Sequence, residues 1–185
     1  MTTVPPVPIR RRDAVLNHAR VIAAAQQLFT EHGLAVTVPQ VAERAGVGKA
    51  TVYRSYPTKQ DLVIAVVKEQ FRALEQRTLD ALSGADAYRE FVTYVPDLFA
   101  ALVKDRVLAD AFFEGEIVPA ARLLEHIGSL LQAAKAAGPI RPDANEMDIR
   151  VVLCGIVRQL IALDQRDPAL WGRYADMVLN AFHSD

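Results

Sequence analysis

The chain has 185 residues, of which 51% are hydrophobic and 23% charged, with a formal net charge of −1. That is enough apolar content for one or two packed domains, and too few unbalanced charges for wholesale disorder. A single cysteine, Cys154, excludes an internal disulfide, and no apolar run reaches the roughly 18 residues of a membrane span. Met1 to Pro8 lacks the basic-then-apolar pattern of a secretory signal, so the expectation is a cytoplasmic protein.

Charge is unevenly spread. Residues 1–60 hold eight Lys and Arg against three acids, a local charge of +5 that leaves −6 for the remainder. A basic head on an acidic body concentrates phosphate attraction at one end.

Three prolines open the chain, and Arg10–Arg12 follow, predicting a flexible arm over residues 1–12. The arm either reaches phosphate or the minor groove, or is a solvated basic tail. Val15, Ala19, Ile22, Ala23, Gln26 and Phe29 then recur at helical spacing, predicting a first helix from Asp13 to His32 that stops at Gly33. Thr37 and Gln40 form a capping box for a second helix, with Val41, Ala42 and Ala45 on its buried side. Pro39 fits its first turn, where the amide has no intrahelical partner.

Gly46 is placed to turn the chain through a left-handed backbone, and Val47 to plug the corner. Gly48 to Arg54 is then a third, short helix, with Val52 inward and Lys49, Ala50, Thr51, Tyr53 and Arg54 outward. Tyr56 and Pro57 end it. A short capped helix, a glycine turn and a second short helix is the layout of a helix-turn-helix, whose second helix enters the DNA major groove. Residues 13–60 are therefore the expected DNA-binding domain. The remaining residues, 61–185, form an all-α body.

Thr58 and Asp61 cap a long fourth helix over Lys59–Leu82, ended by Ser83-Gly84. Further helices are predicted at about 86–103, 105–114, 119–137, 145–164 and 168–182. They are punctuated by Gly115 and Pro119, by Gly138-Pro139 and by Asp167-Pro168. The whole chain shows no strand pattern.

Leu28-Phe29, Gly33, Thr37-Val38, Val41-Ala42, Ala45-Gly46-Val47, Thr51-Val52-Tyr53, Tyr56, Lys59 and Leu62 together resemble the TetR family of bacterial transcriptional regulators. The resemblance covers residues 14–65. It implies that Thr37 bonds a phosphate, aided by the helix dipole, and that Lys49 meets a phosphate or a guanine edge. It further implies that Thr51 touches a phosphate or a thymine methyl, Tyr53 a phosphate, and Lys59 the far backbone. Small Ala50 lets the helix approach the groove floor. Gly48 stands where many relatives carry a serine cap, and Arg54 is expected on a guanine or a phosphate. Tyr56 completes the DNA-binding set.

The same resemblance assigns the last two helices to a homodimer interface, with Val151, Ile156, Leu160, Leu170, Trp171, Tyr174 and Val178 as its residues. It also implies a small-molecule effector pocket between head and dimer helices. Phe91, Tyr94, Phe99, Phe112, Phe113 and Leu123 would supply apolar surface, and Glu116 and Arg158 polar anchors; plain core is the competing reading. No metal or other cofactor is expected, because the four histidines show no ligand spacing with Cys154 or the acids. No phosphate loop, nucleophile elbow or paired-carboxylate signature points to an enzyme. The expected function is a ligand-responsive regulator, most simply a repressor, that binds a palindromic operator as a homodimer and is nucleoid-associated when bound. The alternative is an architectural DNA-binding protein without an effector.

Overall fold

A computed structural model describes residues 9–113 and 118–184, with side chains over 14–112 and 119–184. Arg10–Arg12 and Phe113 therefore lie outside the described side chains, and Glu116 outside the described residues altogether.

The described residues are helical, in the order α1 (Ile9–His32), a 3-10 turn (Gly33–Ala35), α2 (Val38–Ala45), α3 (Lys49–Ser55), α4 (Lys59–Leu82) and α5 (Ala87–Lys104). After these come α6 (Arg106–Phe113), α7 (Val118–Ala137), α8 (Glu146–Ala162) and α9 (Pro168–Phe182). The chain is all-α. The one β-type pairing among the described residues is an isolated bridge between Ile140 and His183. Among the described residues no helix is long and apolar enough to cross a membrane. They likewise hold no cluster of three or more His, Cys, Asp or Glu able to bind a metal.

Two compact units divide at Val66 and Val67. The first contains α1, α2 and α3 around a core of Val21, Ala25, Leu28, Phe29, Val41 and Val52. Full burial of a Phe29- or Val52-sized side chain stabilises by about 1.5–3 kcal/mol, so this small unit draws its stability from a few such residues. Of the residues that recur at helical spacing in α1, Val15, Ala19, Ala23 and Gln26 are exposed. The stripe that the structure buries runs through Val21, Ala24, Ala25, Leu28 and Phe29, one turn or more further along.

Helix ends follow local chemistry. Gly46 adopts φ 67° and ψ 34°, and the Val47 amide returns to the Ala42 carbonyl at 3.0 Å, closing the end of α2. Nothing lies within 4 Å of where a Cβ would sit, so glycine is needed there for its backbone and not for space. At the start of α4 the Thr58 amide donates to Asp61 Oδ2 at 2.9 Å, and the Asp61 amide donates back to Thr58 Oγ1 at 3.1 Å.

In the second unit α5 is the central helix, packed by α6, α7 and α9. Its face of Phe91, Tyr94, Val95, Leu98, Phe99 and Leu102 is buried. Phe91 meets Phe182 edge-on at 6.5 Å between centroids, and Phe99 meets Trp171 at 6.0 Å. Thr78 is the buried polar residue of this core, and its hydroxyl shares a 2.7 Å hydrogen bond with the Tyr94 phenol. Burial pushes that phenol's pKa up to about 12.

Candidate nucleic-acid interface

The seven residues of α3 are held from behind and open in front. Val52 and Tyr56, one turn apart, are buried, while Lys49, Ala50, Tyr53, Arg54 and Ser55 are exposed and Thr51 is half-buried. A helix turns about 100° per residue, so positions 49, 53, 50 and 54 follow one another over about 140° of its surface, with 50 and 54 opposite 52. Neither Lys49 nor Arg54 has an ion-pair partner among the described residues. The outward face therefore carries two unneutralised cations, a tyrosine that is 45% exposed, and one small residue.

Gly48 caps α3 with φ −68° and ψ 142°, a conformation open to any residue. The nearest atom to a Cβ there is Thr51 Oγ1 at 3.9 Å, so a serine would fit. Thr37 is exposed at the start of α2, but its hydroxyl donates to Gln40 Oε1 at 2.8 Å, beside its amide's bond to the same oxygen. A phosphate contact through the Thr37 hydroxyl would have to replace that bond. Lys59 is half-buried and donates to the Leu34 carbonyl, tying the first residue of α4 to the turn before α2. Two of its three ammonium protons remain for a phosphate. Arg44 is held by Glu31 of α1, with N–O distances of 3.2 and 3.4 Å. The hydrogen bond from Arg44 holds the Glu31 carboxyl below the usual range.

Tyr56 does not face outward. It is 5% exposed, and its phenol meets Nδ1 of His18 on α1 at 2.7 Å, with the rings stacked at 5.8 Å and 29°. Burial raises the phenol pKa, so the group keeps its proton, and that proton needs an acceptor. Tyr56 thus fixes the end of α3 on α1, a positioning role and not a DNA contact. His18 is the partner that sequence spacing did not identify, since nothing local signals a bond across 38 positions. A cleft of about 290 Å³ opens beside this pair, between α1 and α3.

The effector candidates of the second unit fall into three groups. Phe91, Tyr94, Phe99, Phe112 and Leu123 are all buried in its core. Arg158 is exposed on α8, so it has no buried charge to neutralise. Phe113 and Glu116 belong to the side chains that are not described.

The dimer candidates divide as well. Leu160, Trp171 and Val178 are buried within their own protomer, and the Trp171 indole donates to the Gln165 carbonyl at 2.9 Å. Ile156, Leu170 and Tyr174 are half-buried, and Val151 is 61% exposed. Met177 (46%) and Met147 (63%), the latter not singled out from sequence, are exposed too. Met147, Val151, Gly155 and Arg158 are all exposed and follow one another at three- and four-residue steps, a single outward stripe on α8. Cys154 beside it is half-buried, and burial pushes its thiol pKa up to about 11, leaving it an unreactive small hydrophobe.

Residues 21–66 match the family model described as bacterial regulatory proteins, tetR family. The HTH-type transcriptional repressor KstR of Mycolicibacterium smegmatis is 26% identical over 144 residues, 74% of this chain and 71% of that one. A TetR transcription regulatory protein from Mycobacterium vanbaalenii is 34% identical, with 82% of this chain and 96% of that chain covered and a TM-score of 0.46. The transcriptional regulator FadR of Bacillus subtilis, solved with stearoyl-CoA, is 20% identical, with 90% and 100% coverage and a TM-score of 0.64.

Proposed function

The chain belongs to the TetR family of bacterial transcription regulators, with a helix-turn-helix DNA-binding head, and from this we propose that it is a ligand-responsive repressor acting as a homodimer on a palindromic operator. The observation that carries the reading is α3 itself, anchored by Val52 and Tyr56 and presenting Lys49, Ala50, Tyr53 and Arg54 on one face. Lys49 and Tyr53 serve the phosphates, Arg54 grips a guanine through O6 and N7, and Ala50 admits the groove floor. Thr37 and Lys59 anchor the backbone on either side, and Gly48 sets the start of α3. Thr51, half-buried, reaches a thymine methyl or a phosphate.

One seven-residue helix gives too little affinity alone, and two read a palindrome. The exposed Met147 and Val151 of α8, with exposed Met177 and half-buried Tyr174 and Leu170 of α9, support the homodimer, because exposed apolar side chains grouped on a surface mark an interface. The relative of M. smegmatis that carries the name repressor supports that sign of regulation.

The body's interior supports an effector that is itself largely apolar. Phe91, Phe99, Phe112 and Leu123 are buried apolar residues of the unit that also buries the Thr78–Tyr94 hydroxyl pair, so a ligand admitted to that core would exchange apolar contacts and could bond that pair. To release DNA, it must bind a body conformation that disfavours the DNA-competent one.

The test is selection of bound duplexes from a random pool at about 0.15 M salt, where phosphate attraction is held fixed. Recovery of a palindrome with a guanine in each half-site is expected. Binding without sequence preference would favour the architectural reading.

A further inference from the structure

The reading above gives the cleft between α1 and α3 no role of its own, and its lining sets a group of polar side chains beside two apolar ones, Ala14 and Val21. Asn17 and His18 of α1 face Thr51, Arg54 and Ser55 of α3, with Tyr56 at its floor. Among the described residues no carboxylate lines it. The Tyr56 phenol occupies Nδ1 of His18, which leaves the imidazole proton on Nε2 as a donor. A carboxamide, an imidazole N–H, two hydroxyls and a guanidinium thus stand around one space. None of Asn17, Thr51, Arg54 or Ser55 has a side-chain hydrogen bond among the described residues.

A guanidinium with no carboxylate beside it, among groups that can all donate, suits an anion. An apolar ligand would leave them unpaired, and a cation would meet the Arg54 charge. The cleft is lined by Thr51, Arg54 and Ser55 of α3, the helix that carries Lys49 and Tyr53.

Resting on the DNA-binding reading, the geometry points to a phosphate-binding subsite in this cleft, in which Asn17 and His18 of α1 join Thr51 and Ser55 of α3 on one phosphodiester of the DNA backbone, beside the Arg54 charge. The contact lies outside the helix-turn-helix pair itself. It makes the orientation of α1, fixed by Tyr56 and His18, part of the DNA register.

The test uses duplexes in which one phosphodiester at a time is replaced by a neutral methylphosphonate. They are titrated with the full chain and with Asn17→Ala and His18→Gln, at fixed salt. On the unmodified duplex each variant should bind about tenfold more weakly, the effect of removing one charge-assisted hydrogen bond. On the one duplex whose coupled linkage is neutral, variant and parent should bind alike. Arg54→Ala should in addition lower the slope of log K against log salt by about 0.9. Unchanged affinity in both α1 variants, or an equal loss on every duplex, overturns the subsite while leaving the regulator reading intact. Failure of the parent chain to bind any duplex sinks that reading, and the subsite with it. A parallel titration with inorganic phosphate, followed by the His18 and Asn17 side-chain resonances, separates the two sources of phosphate. Saturable shifts there, with no coupled DNA linkage, would overturn the backbone assignment in favour of a free anion.

Discussion

The phenol of Tyr56, the residue that follows α3, bonds Nδ1 of His18 on α1 at 2.7 Å while its ring lies stacked on the imidazole. The bond joins the reading helix to the first helix across 38 positions, and Val52 secures the other turn of α3 by burial.

Tyr56→Phe keeps the ring and removes the bond. The expected cost is about 0.5–1.5 kcal/mol of stability, with weaker DNA binding and an unaltered salt slope. A lowered slope in the titration would show instead that the phenol meets a phosphate. Lys49→Ala provides the contrast, because losing one cation–phosphate contact should lower the slope by about 0.9.

Backbone geometry in the turn can be tested by two glycine substitutions with opposite expectations. Gly46→Ala forces a side chain to φ 67° and should destabilise by about 1–2 kcal/mol. Gly48→Ser sits in ordinary extended backbone and adds a capping hydroxyl, so it should be neutral or stabilise by a few tenths of a kcal/mol. Thermal melts of both variants decide this, and equal effects would mean that the turn is read wrongly.

Trp171→Ala and Val151→Asp separate core from interface. Trp171 is buried in its own protomer, so its truncation should cost about 3–5 kcal/mol and unfold the body before it touches assembly. Val151 is exposed, and an aspartate there should leave the monomer's fold intact while dissociating the proposed dimer. Sedimentation of folded Val151→Asp as a dimer would place the interface elsewhere.

Tyr94 gives a pH dependence. Its phenol is raised from an ordinary value of 10 to about 12, so between those values the unfolded chain has lost a proton that the folded chain keeps. The folded state is then favoured below pH 10, and that advantage is lost as the pH climbs to 12. The loss amounts to about 2–3 kcal/mol, from 1.36 kcal/mol per pKa unit. Denaturant melts from pH 8 to 12 should show the decline, and Tyr94→Phe should flatten it. Tyr56, raised in the same direction, keeps a smaller part of the slope.

Helix placement was legible because the punctuation is chemical. Thr58 and Asp61 start α4, and Ser83-Gly84 ends it, at the bounds their spacing predicts. Gly46 takes the left-handed backbone that a turn between two short helices demands. The first helix begins at Ile9, four residues before Asp13, because no residue among Arg10–Arg12 breaks a helix. What spacing could not give was partnership at a distance. An aromatic at the end of α3 reads equally as a lock or a DNA contact, and only the position of His18 decides for Tyr56. Similarly, α9 is apolar on more than one face. Trp171, Ala175, Val178 and Phe182 take the inner one, which α5 and α8 cover, and Met177 is left outside.

The central claim is that this chain reads a palindrome through α3 as a pair of protomers. It is tested most directly by titrating the selected palindrome, its isolated half-site and a scrambled duplex of equal length at about 0.15 M salt, with stoichiometry measured at saturation. Two chains per palindrome, and affinity at least about a thousandfold above the scrambled duplex, are predicted. One chain per duplex, or equal affinity for palindrome and scramble, would contradict it.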